Sequence, residues 1–77
     1  MYSEQEQLNL MHEALRLLAI GHVEAAHVEL CNLASQTPTE SRCYPAIIGT
    51  ANWIHPLENP QTARYQLAKA LIKLEAK

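Results

Sequence analysis

Only two residues, Gly21 and His22, separate two amphipathic runs, and this short gap constrains the fold more than any other feature of the chain. In the first run Leu8, Met11, Leu15 and Leu18 recur at steps of three and four, with Ala14 and Leu17 widening the apolar face. In the second, Val23, Ala26, Leu30 and Leu33 share one face, with Cys31 and Ala34 beside it. Helical periods on both sides of so short a connection predict an antiparallel hairpin. Gly21 suits the junction, because a residue without Cβ enters the left-handed conformation at a helix end most cheaply.

Start and stop signals bound these elements. Ser3 and Glu6 have the spacing of a capping box, in which hydroxyl and carboxylate each satisfy an orphan backbone N–H, so the first helix should begin at Ser3. Glu13 and Arg16 fall on its polar side, one turn apart. The second helix runs from about His22 or Val23 to about Ser35, where Gln36-Thr37-Pro38-Thr39 ends it. Pro45 fits the first turn of a third helix continuing from Ala46 to Ile54, although Gly49 within it costs about 1 kcal/mol relative to Ala. A short strand through Ile47 and Ile48 is the competing reading. After a loop over His55-Pro56-Leu57-Glu58, Asn59 and Pro60 read as cap and first helical residue of a fourth helix. That helix, Gln61 to about Ala76, places Ala63, Leu67, Ala70, Leu71 and Leu74 on one face. The expectation is an all-α domain over 1–77 made of two antiparallel helical hairpins, about 3–35 and 45–76, joined by a linker over 36–44.

Composition agrees: 48% of the 77 residues are hydrophobic, Leu and Ala dominate, and Phe is absent. So short a chain buries only about 60% of the surface its unfolded form exposes, which leaves its stability marginal. A net charge of −2 offers no positive surplus to neutralise phosphates, and no nucleic acid is expected as partner. Lys69, Lys73 and Lys77 fall on one stripe and suit the negative end of a helix dipole. The polar start Met1 to Gln7 does not resemble a secretory signal, and no apolar run approaches the about 20 residues of a membrane span. Cytoplasmic residence, with Cys31 and Cys43 as reduced thiols, is the corresponding expectation.

Little in the sequence signals chemistry. His27 and Cys31 lie four residues apart, a spacing that can bring both to a metal, and His12, His22 and Cys43 could add to them. No C-x-x-C or H-E-x-x-H motif accompanies them, and Cys31 also fits a buried apolar role, so neither metal nor cofactor is expected. A nucleophilic pair from His27 and Cys31, or from Cys43 and His55, lacks an orienting third group and a Gly-rich oxyanion site. No catalytic residue is assigned and the chain reads as a non-enzyme.

Ala14, Leu17, Gly21, Val23, Ala26, Leu30 and Pro38 stand where a tetratricopeptide repeat carries its small, large, glycine and closing proline positions, and the segment Ala14 to Pro38 resembles that family. Glu13, Leu10 and Leu33 depart from its preferences. A shift of 37 residues pairs Ala14 with Ala51, Leu17 with Ile54, Ala26 with Ala63 and Leu30 with Leu67, a degenerate second copy longer than the usual period of about 34. Repeats of this kind stack, and two hairpins are usually too few to stand alone. The resemblance implies that the first helix of each hairpin lines a partner-binding surface made by Leu8, Met11, Leu15 and Leu18, continued by Ile48, Asn52, Trp53 and His55. The competing reading places the same stripe in the core of a small helical bundle. The implied function is a small protein-interaction module, such as a chaperone-like adaptor holding a helix or peptide of another protein. A regulator encoded by a phage or mobile element, and a structural homodimer with the stripe as its interface, are the alternatives.

Overall fold

The computed structural model describes residues 1–76 and forms α1 (Glu4–Ala19), α2 (Val23–Ser35), α3 (Tyr44–Ile54) and α4 (Pro60–Glu75), with no strand among the described residues. Lys77, the last of the expected lysine stripe, lies outside them. The fold is all-α. At the start of α1 the Ser3 hydroxyl accepts from the Glu6 N–H at 3.2 Å and the Glu6 carboxylate accepts from the Ser3 N–H at 2.9 Å, completing the capping box. At its end Gly21 has φ +87°, the Gly21 N–H donates to the Leu18 carbonyl and the His22 N–H to the Leu17 carbonyl. This bonding pattern is a Schellman motif, and it turns the chain straight into α2.

The strand alternative for Ile47 and Ile48 is overturned. Helix α3 begins at Tyr44, two residues before Ala46, with Pro45 in its first turn. Ile47, Thr50, Ala51 and Ile54 are buried, a spacing of three and four that matches a helix and not the two-residue alternation of a strand. For α4, the Asn59 side chain accepts from the Thr62 N–H at 3.1 Å, and Pro60 takes the first helical position, where no backbone donor is needed.

The four helices close into a ring, with α1 on α2, α2 on α3, α3 on α4 and α4 back on α1, while the diagonal pairs meet only marginally. Polar ties fix their directions. At one end the Tyr2 N–H reaches the Gln36 carbonyl, the Ser41 hydroxyl donates to Gln7 Oε1 at 2.6 Å, and Arg42 bonds both Glu4 and the Leu74 carbonyl. At the other end His55, just after α3, meets Glu24 in the first turn of α2. Successive helices therefore alternate in direction, as in a small up-down-up-down bundle. All four contribute to one core, in which Met11, Ala14, Ala26, Leu30, Ile47, Ala63 and Leu67 have no exposed surface. Alanine at three of these places lets neighbouring helices approach closely while the larger side chains fill the centre. A stack of repeats would set α1 and α3 side by side. Here α4 takes that place beside α1, and nothing in the arrangement identifies a tetratricopeptide-like repeat.

Candidate functional site

The expected partner-binding residues do not form one surface. Leu8 and Leu18 are 7% exposed and Met11 is fully buried, so these three belong to the chain's own core. The physical reason is the closed ring: α4 and α2 flank α1, and the strongest apolar stripe of α1 faces inward. Leu15, Ile48 and Trp53 are half-buried, with Leu15 and Trp53 packed against the core, while Asn52 and His55 are exposed. Cys31 is also corrected, for it faces solvent while Cys43 is the buried thiol.

The surfaces left open lie on the outsides of the hairpins. Between the N-terminal segment, α1 and α2 runs an open groove of about 470 Å³ lined by Tyr2, Leu10, Ala25, Val28 and Leu33, with Glu24, Glu29 and Asn32 along it. Val28 is 56% exposed, although it is β-branched and aliphatic. Burial and the neighbouring Glu13 push the Glu29 carboxyl above its ordinary range, with Arg16 pulling the other way. The groove therefore combines an apolar floor with a partly desolvated acid. The outer face of α4 exposes Tyr65 and Ile72, with the Lys69 ammonium 5.3 Å from the centre of the Tyr65 ring.

Charge is divided in the same sense. The first forty residues hold six glutamates and one arginine, net −5, and the remainder five basic residues and two glutamates, net +3, which together give the −2 of the chain. The periodic pattern of α1 concealed the groove, because its lining comes from positions that flank the main stripe. The signal that could have found it is Val28, an aliphatic residue off the buried face of α2.

A second cluster joins α2 to the end of α3. His55 Nε2 lies 2.8 Å from Glu24 Oε1, the His55 and His27 rings meet edge to face with centroids 4.7 Å apart, and Cys31 Sγ lies 3.6 Å from His27 Nε2. The hydrogen bond and charge of His55 hold the Glu24 carboxyl below its ordinary value. Elsewhere, burial pushes the Cys43 thiol up, with a hydrogen bond to Ser41 pulling the other way, and Glu4 raises the already high Arg42 guanidinium. Among the described residues no helix is long and apolar enough to cross a membrane. No family model matches the chain, and neither a curated protein nor a solved structure matches it.

Proposed function

We propose that the chain is a protein-interaction module that holds a basic amphipathic helix of another protein in the groove between α1 and α2. The observation that carries this reading is the pairing of exposed apolar residues, Tyr2 and Val28, with Glu24 and Glu29 along one open groove. An amphipathic helix laid there would bury its apolar face on Leu10, Ala25, Val28 and Leu33 and bring Lys or Arg to the acids. A cation beside Glu29 would also relieve the repulsion from Glu13. This moves the binding surface from the buried stripe of α1 to the outside of the first hairpin. An adaptor or chaperone-like role is the broader form of the proposal.

A second reading takes the partner to be another copy of the chain. The outer face of α4 favours it, since Tyr65, Lys69, Ile72 and Lys73 form an apolar and basic strip complementary to the groove. Such a contact joins unlike surfaces, so it would build a ring or an open chain of protomers.

Sedimentation equilibrium and fluorescence anisotropy together test both readings. The first expects a monomer that binds a labelled amphipathic peptide carrying leucines on one face and arginines beside them. Val28→Asp and Glu29→Lys should each weaken that binding at least tenfold while leaving helicity unchanged. The second expects concentration-dependent association that Val28→Asp and Ile72→Asp both abolish. A monomer whose peptide binding is absent, or equal in all variants, overturns the assignment of the groove.

A further inference from the structure

The second hairpin carries an open cleft of its own. Between the first turn of α3 and the last two turns of α4 lies a hollow of about 280 Å³ lined by Arg42, Pro45, Ala46, Ala70, Lys73 and Leu74. We propose that this cleft docks an acidic segment of a partner protein, which sets one apolar side chain among Pro45, Ala46, Ala70 and Leu74 and brings carboxylates to Lys73 and Arg42. It shares no lining residue with the α1/α2 groove, and the proposal does not rest on that groove.

Small side chains give the cleft its shape. Ala46 and Ala70 leave the space that longer residues would fill, while Ala46 and Leu74 are half-buried against the core. The volume falls just short of the about 300–1,000 Å³ of small-molecule sites, and the hollow is open to solvent. Such a hollow suits one side chain of a polypeptide better than an enclosed cofactor.

The charges at its rim are not yet spent. Arg42 Nε donates to the Glu4 carboxylate at 2.9 Å and Nη2 to the Leu74 carbonyl at 3.0 Å. These bonds hold the guanidinium in place, and its Nη1 group has no hydrogen-bond partner among the described residues. Lys73 is exposed and has no carboxylate within ion-pair distance among the described residues, the neighbouring Glu75 lying 2.8 Å from His12. An incoming carboxylate would therefore meet an ammonium and a fixed guanidinium without breaking an existing pair. The positive end of α3 and the negative end of α4 meet here and offset one another, so the preference for an anion comes from these two side chains.

The same count selects the partner. Glu4 already matches the charge of Arg42, which leaves one unmatched cation at the cleft. An anionic-lipid site draws on about four to eight basic residues, and a nucleic acid needs a run of phosphates neutralised. Phosphates would also leave the apolar lining uncovered. A leucine or methionine with glutamates beside it meets both features at once.

Fluorescence anisotropy with two labelled peptides tests this, one with leucines flanked by glutamates and one with leucines flanked by lysines. The glutamate peptide should bind the intact chain, shift the amide NMR signals of Ala46, Ala70 and Leu74, and bind more weakly as salt rises. Lys73→Glu should weaken it at least tenfold, and so should Ala70→Leu, which fills the cleft. Val28→Asp, in the other groove, should leave it unchanged. In that Val28→Asp background, Lys73→Glu should exchange the preference for the lysine peptide. Circular dichroism of each variant is the folding control. No binding of the glutamate peptide, binding indifferent to both Lys73→Glu and Ala70→Leu, or binding lost in Val28→Asp overturns the site. Self-association that Lys73→Glu abolishes would give the cleft to a second copy, and flotation with phosphatidylglycerol vesicles that it abolishes would give it to a lipid surface. Either result overturns the acidic partner.

Discussion

Glu29 and Glu24 both border the α1/α2 groove, and their surroundings act on them in opposite directions. Burial and Glu13 raise the Glu29 carboxyl, so the folded chain holds its proton more tightly than the unfolded chain does. Its charge therefore costs stability above the folded value, and the cost disappears once pH falls below the ordinary value of 4.5. Glu24 is lowered by its hydrogen bond to His55, so its contribution is present above 4.5 and is lost as pH falls through the depressed folded value. Urea midpoints should consequently move in opposite directions at pH 7, up for Glu29→Gln and down for Glu24→Gln. Both differences should close in acid. The Glu24 effect should be small, because exposed pairs are weakened by solvent screening. A Glu29→Gln variant that is less stable than wild type at pH 7 would remove the argument that this acid awaits a cation. The same substitution should weaken peptide binding, so stability and binding would move in opposite directions.

At the scale of the element, α3 has the least support from its own residues. It has no side-chain cap at Cys43, it is the shortest of the four helices, and Gly49 sits inside it. A Cβ added at Gly49 would meet no atom within 4 Å. Gly49→Ala should therefore raise stability by about 0.5–1 kcal/mol, through the smaller entropy of the unfolded chain and the better helix propensity of alanine. Thermal or urea unfolding monitored by circular dichroism checks this, and a loss of stability would point to a backbone constraint at residue 49. What could be read from the sequence follows the same order of strength. Ser3, Glu6, Gly21 and Asn59 act through bonds to residues a few positions away and Pro60 through its own fixed backbone angle, and the helix ends they mark appear where local chemistry puts them. The content of α3 was ambiguous because Ile47 and Ile48 suit a strand as well as a helix, and only packing against α2 and α4 decides between them. The cluster at Glu24, His27, Cys31 and His55 was half visible. The four-residue step from His27 to Cys31 is local, but the arrival of His55 depends on how α3 lies on α2.

At the scale of the whole molecule, periodicity identified the apolar stripe of α1 but could not say what would cover it. The answer is set by the contact of α4 with α1, between residues about sixty positions apart in sequence, as in the bond of 2.8 Å from His12 to Glu75. That contact makes the stability of the first hairpin depend on the last helix. Ala63, Leu67 and Leu71 are at most 2% exposed, and without them the inward faces of both α1 and α3 lose their cover. Burial in so small a domain leaves little stability to spare. A chain ending at Asn59 should therefore not keep a shortened but native structure. It should lose dispersed side-chain NMR signals, retain at most partial helicity, and bind a hydrophobic dye through Leu8, Met11 and Leu18. The intact chain should unfold in one transition, with circular dichroism and Trp53 fluorescence giving the same midpoint. A truncated chain with native-like dispersion over residues 3–35 would mean that the first hairpin folds independently, as a repeat unit with a capping partner would, and the closed ring would not be what stabilises it.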